Sequence, residues 1–93
     1  MEELHEGDTL LKVKSSSSAP NLASAIANNV YDGKNVVLRA IGAGAVNQAM
    51  KAIAIAQSYV GPRGKILSCR PGFTTVKMDD GDISAMTLRI LVS

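Results

Sequence analysis

Residues 36–60, VVLRAIGAGAVNQAMKAIAIAQSYV, change character across three small residues. Val36–Ile41 is β-branched and almost wholly apolar, which reads as a central strand covered on most of its area. Ala45 to Val60 is rich in Ala, Met, Lys and Gln, good helix formers. Gly42-Ala43-Gly44 must turn the chain from one to the other. A strand that feeds directly into a helix asks for a further parallel strand, reached by a right-handed crossover. This unit puts the chain in the α/β class.

The flanking segments extend the pattern. Met1 to Thr9 is polar and aperiodic, and reads as a flexible acidic tail, leaving 10–93 as a single domain. Leu10–Lys14 alternates, with Leu11 and Val13 on one side and Lys12 and Lys14 on the other, as a half-buried strand does. Ser15–Ser18 is a loop that ends in a helix cap, with Pro20 in the first turn. Leu22, Ile26 and Val30 stripe a first helix, which Asp32-Gly33 stops. After the second helix, Gly61-Pro62-Arg63-Gly64 breaks the chain. Lys65–Cys69 begins a third strand, and Phe73–Met78 resumes it beyond Arg70-Pro71-Gly72. A proline within the run marks an edge strand with a bend. Asp79-Asp80-Gly81-Asp82 is a hairpin turn. Ser84–Val92 then alternates, with Met86, Leu88, Ile90 and Val92 inward and Thr87, Arg89 and Leu91 outward. The order is β-α-β-α-β-β: an α/β two-layer sandwich, a four-stranded mixed sheet with two helices on one face.

Charge narrows the function. The formal net charge is +2, but Glu2, Glu3, Glu6 and Asp8 precede the body, and Asp79, Asp80 and Asp82 share one turn. Between Thr9 and Met78 the one acid is Asp32, against Lys12, Lys14, Lys34, Arg39, Lys51, Arg63, Lys65, Arg70 and Lys77. A basic body favours polyanions, although a solvated surface has the same composition. Aromatics are scarce (Tyr31, Tyr59 and Phe73), so an aromatic base-stacking platform is hard to build. Catalysis finds little support: His5, the sole histidine, lies in the tail, Cys69 sits mid-strand without a base nearby, and no metal-ligand spacing occurs. A single cysteine allows no internal disulfide, which fits a reducing, cytoplasmic setting. The N-terminus lacks the apolar region of a secretory signal, and no run is long enough to span a bilayer.

The glycine pair itself is ambiguous. A dinucleotide fingerprint would place a third glycine at Asn47 and an acid near Lys65 or Ile66, so a nucleotide cofactor is not expected. Two readings survive. Gly42 and Gly44 open a helix N-terminus to an anion, or they only permit a tight turn against the sheet. Along the second helix, Val46, Ala49, Met50, Ile53, Ala56 and Val60 are assigned to the core. Asn47, Lys51 and Ser58 form a polar flank. Ile55 and Tyr59 are placed opposite the core with Gln48, as an exposed contact for a homodimer or higher homo-oligomer.

RAIGAGAVNQAMKAIAIAQSYVGPRG, together with LLKVKSSSSAPNLASAIA and LSCRPGFTTVKM, resembles the stage V sporulation protein S family from Leu10 to Val92. That family is linked to sporulation and developmental regulation, and its fold is similar to that of Alba, the archaeal chromatin protein. Alba-like proteins dimerise and bind DNA or RNA, so the resemblance implies a nucleic-acid-binding dimer. Two features depart from Alba. Ala19-Pro20 stands where Alba has a basic residue before proline, and the hairpin tip is acidic where Alba's arm is basic.

The expected site gathers Lys12, Lys14, Ser16, Ser17, Ser18, Arg39, Gly42, Gly44, Asn47 and Lys51 at the C-terminal edge of the parallel strands. The cations would neutralise phosphates, while hydroxyls, Asn47 and loop N–H groups would position the backbone with weak sequence preference. Three to five phosphate contacts predict a log affinity–log salt slope of roughly −3 to −4 on duplex DNA. The alternative is an interaction module that assembles through Ile55 and Tyr59 and binds a protein partner. No cofactor or metal is expected under either reading.

Overall fold

The structure, a computed structural model, describes residues 4–93. Strand β1 spans Asp8–Val13, helix α1 Ala19–Tyr31, strand β2 Asn35–Ala40 and helix α2 Ala43–Val60. A short 3-10 turn at Gly61–Arg63 leads to strand β3, Leu67–Met78, and strand β4, Gly81–Val92. The element order and the four-stranded mixed sheet are those expected from the sequence. Two boundaries differ. The ordered strand begins at Asp8, inside the segment expected to be a loose tail, and α2 begins at Ala43, so that Gly44 is helical. Glu2 and Glu3 of the expected tail lie outside the described residues.

The sheet order is β1-β2-β4-β3. β1 and β2 run parallel, with Lys12 opposite Arg39, and β4 is antiparallel to both β2 and β3. Local chemistry sets the ends. The Ser18 hydroxyl accepts the Asn21 N–H at 3.3 Å and caps α1, with Pro20 in its first turn. Gly33, at φ 72°, takes the left-handed turn that releases the chain into β2. Pro71 sits within β3 without breaking it, because β3 is an edge strand and its outer side needs no donors. Gln57 ties α2 to the start of β3: its amide donates to the Lys65 carbonyl and its carbonyl accepts the Leu67 N–H.

One sheet face carries Val13, Val36, Leu38, Ala40, Leu88 and Ile90 against both helices. The other carries Lys12, Arg39, Thr87 and Arg89, by the same registers. Thr87 and Arg89 were expected to face solvent, yet they are only 4% and 7% exposed. Arg89 reaches across Val37 from β4 to Asp8 on β1 and makes a two-toothed ion pair, with nitrogen–oxygen distances of 3.1 and 2.9 Å. On the face that no helix covers, the Arg89–Asp8 pair thus lies beside Val37, which is fully buried.

The hairpin is longer than the strands that support it. β2 pairs with β4 only over Met86–Arg89, so the half of β3 and β4 nearest the Asp79-Asp80 turn projects as a free arm. Strands of 12 residues rising about 3.3 Å per residue span about 40 Å. The longest dimension of the molecule is 45 Å.

Candidate nucleic-acid interface

β1 and β2 are parallel, and each leads through a short loop into a helix, so both helix N-termini lie at the same end of the sheet. The positive ends of two helix dipoles therefore meet there. At that end Lys12, Lys14 and Arg39 line one groove of about 370 Å³ with Val13 and Ser15. Lys12 and Arg39 are cross-strand partners on the open sheet face, and Lys14 follows the end of β1 with the same side-chain parity. Among the described residues no carboxylate lines the groove.

The groove has a second wall that the sequence did not suggest. Ile41, Val76 and Met78 complete it. Val76 and Met78 belong to the arm, and Met78 is 50% exposed. FTTVKM alternates like any half-buried strand, but it pairs with the part of β4 that extends beyond the last β2–β4 pair, Ala40 with Met86. Comparing the predicted lengths of the second and third strands was the one available signal.

Other expected site residues fall elsewhere. Gly42 and Asn47 border a separate depression of about 570 Å³ on the helix-covered side, with Val46, Met50 and Met86. Lys51 is exposed one helical turn beyond Asn47. Ser17 and Ser18 spend their hydroxyls internally, accepting from the Lys14 and Asn21 N–H groups, while Ser16 is exposed. The groove thus gathers three of the ten expected residues.

The glycine pair receives two separate explanations. Gly42 caps α2 at φ 89°, which a side chain would strain, and no side chain caps that helix. Gly44 has ordinary helical geometry but lies against the loop after β1: a Cβ there would stand 2.9 Å from the Ser15 Cβ. The second glycine lets the cation-bearing loop press against the start of α2. Gln48 fastens the same loop, donating to the Ser17 carbonyl at 2.8 Å.

The buried face of α2 differs from that expected of it. Its buried residues are Ala45, Ala49, Ala52, Ile53, Ala56 and Val60, whereas Met50, assigned to the core, is 46% exposed. The solvent face is Asn47, Lys51, Ala54 and Ser58. Ile55 is half-buried and packs against the core, so it does not present the exposed contact expected of it. Tyr59 is exposed on the α1 side, where the Tyr31 hydroxyl donates to its carbonyl and Arg63 lies 4.2 Å over the Tyr31 ring. An exposed apolar surface lies on the arm side, where Phe73 (53% exposed) and its cross-strand partner Met86 share a sheet face, with Met50 close to Met86.

Electrostatics at the groove are set partly from a distance. Asp8 was counted among the tail acids. Hydrogen bonds from Arg89, and then from the His5 N–H, hold its carboxyl at about 2, against an ordinary 3.8. The Arg89 charge thus offsets that of Asp8 on the sheet face that also carries Lys12. Thr87, the cross-strand partner of Arg39, has a buried hydroxyl with no hydrogen-bond partner among the described residues.

The family model for stage V sporulation protein S (SpoVS) matches residues 9–93, and the chain belongs to that family. Among solved structures, Alba from Thermoplasma volcanium matches with a TM-score of 0.61 at 15% identity, over 91% of this chain and 99% of that one. The two proteins share the fold. None of the described helices is long and apolar enough to cross a membrane.

Proposed function

We propose that this protein is a small non-enzymatic regulator that binds the sugar–phosphate backbone of nucleic acid, with weak sequence preference, in the cytoplasm. The observation that carries the reading is the convergence of Lys12, Lys14 and Arg39 in one groove that no carboxylate of the described residues lines. The paired helix N-termini add to the positive field at the same end. Family membership and the Alba fold agree with this reading, since Alba-like proteins bind nucleic acid. Lys51 and Asn47, outside the groove, would serve a longer strand that continues past the β2–α2 turn.

Three phosphate contacts predict a log affinity–log salt slope near −3 on duplex DNA and near −2 on a single strand. Fluorescence anisotropy of labelled oligonucleotides at increasing salt measures it. An affinity indifferent to salt would defeat the proposal.

A second reading, that the protein works as an assembled module, is favoured by Phe73, Met86 and Met50. They leave an exposed apolar surface beside a depression with no charged residue in its lining. The occupant we assign to it is a second copy of the chain, which would also bring two cationic grooves into one particle. Phe73→Glu should then shift the particle to a smaller mass in sedimentation. An unchanged mass would remove this face from the assembly.

A further inference from the structure

The groove is half cationic and half aliphatic, and that division selects among nucleic acids. We propose that it takes unpaired nucleotides, so that the protein prefers single-stranded DNA or RNA to duplex. The inference rests on the binding function proposed above. Lys12, Lys14 and Arg39 form one wall, and Ile41, Val76 and Met78 form the other. A duplex presents phosphates outward and keeps its base faces stacked. Laid in this groove it would bring charge against three aliphatic side chains and desolvate phosphate there without a partner. A single strand offers both chemistries at once. Its phosphates follow the cations, and the flat apolar face of an unstacked base lies on the aliphatic wall.

Size and charge point the same way. A volume of about 370 Å³ is near the small end of ligand pockets, about 300–1,000 Å³. It has room for a nucleotide rather than for a double helix. The wall ends at Met78, Asp79 and Asp80 follow at once in the turn, and Asp82 stands at the start of β4. Duplex DNA carries one charge per ~1.7 Å of axis, about twice the density of one strand. The acidic tip therefore repels a duplex more strongly than a single strand in the same seat. Without aromatic side chains in the lining, the base contact is aliphatic and tolerant of base identity.

The test measures anisotropy with the full chain at fixed, moderate salt. The probes are a thymine DNA strand, a uracil RNA strand, a blunt duplex and an abasic DNA strand, all of equal length. The two natural strands should bind about 10-fold tighter than the duplex, because base contacts add binding that a duplex cannot supply. The abasic strand keeps the charges and loses the bases, and it should fall towards the duplex value. Comparison of the DNA and RNA strands shows which sugar the groove accepts. Met78→Ser with Ile41→Ser, both exposed positions, should lower single-strand affinity to the abasic level while the salt slope and melting temperature stay as they were. Equal or tighter binding of the duplex, or an abasic strand that binds as well as the natural ones, overturns the inference and leaves backbone binding standing. Failure of every probe to bind overturns the proposed function itself.

Discussion

Gly44→Ala should destabilise the protein, and the loop before α1 should decide by how much. Gly44 has ordinary helical geometry, so alanine gains helix propensity, about 0.5–1 kcal/mol. Against this, the new Cβ would stand 2.9 Å from the Ser15 Cβ, while the Ser15 Cα at 3.8 Å is in ordinary contact. The Ser15 Cβ is fixed to its backbone and cannot swing away, so the loop or the helix must move. Overpacking of this kind costs about 1–3 kcal/mol. The net expectation is a loss of about 1 kcal/mol, or a fall of about 4–8 °C in melting temperature for a domain of this size. Ser15→Gly removes the clashing atom. In that background Gly44→Ala should raise the melting temperature, giving a coupling of about 1–3 kcal/mol in a double-mutant cycle. Thermal unfolding by circular dichroism of the four proteins reads it. If Gly44→Ala shifts stability equally in both backgrounds, the loop does not press on the helix and this account of the glycine is wrong.

Two further perturbations probe the frame around the groove. Asp8 titrates near 2 in the folded chain and at 3.8 as its ordinary value. The pair's stabilisation is therefore complete above about pH 4 and fades as pH falls towards 2. Denaturant titrations across that window should show an acid-side loss of stability that is reduced in Asp8→Asn. Ala52→Leu, at a fully buried position on α2, should cost about 1–3 kcal/mol or more by overpacking, and a denaturation midpoint no lower than wild type would contradict the packing described.

The element order, the mixed sheet and the Ser18 and Gly33 helix ends were all legible in the sequence, because each rests on local chemistry. The orientation of α2 was not. Following its large apolar side chains, Val46 and Met50, turns the helix away from its true buried arc, which is centred on alanines. Ala45, Ala49, Ala52 and Ala56 bury little area each but allow close approach to the sheet and α1. Small size, not hydropathy, was the signal, and composition does not display it. Arg89 was misplaced for a related reason: alternation gives the face of a strand but not whether a distant acid, Asp8, will hold the side chain down. Of the site, Lys12, Lys14 and Arg39 could be read because the parallel pairing of their strands followed from the topology. Their aliphatic neighbours could not, since Val76 and Met78 come into reach only through the overhang of the arm.

The claim on which the function depends is that phosphates are held by the groove's own cations rather than by positive charge in general. Two triple variants with equal loss of charge decide it, Lys12, Lys14 and Arg39 to Ala against Lys34, Arg63 and Lys65 to Ala, the latter set following the helix C-termini at the far end of the sheet. The measurement is the salt slope of binding to one single-stranded oligonucleotide. The groove variant should lose about two units of slope, together with most of its affinity, while the far-end variant keeps the wild-type slope. Equal losses in both variants would contradict the account.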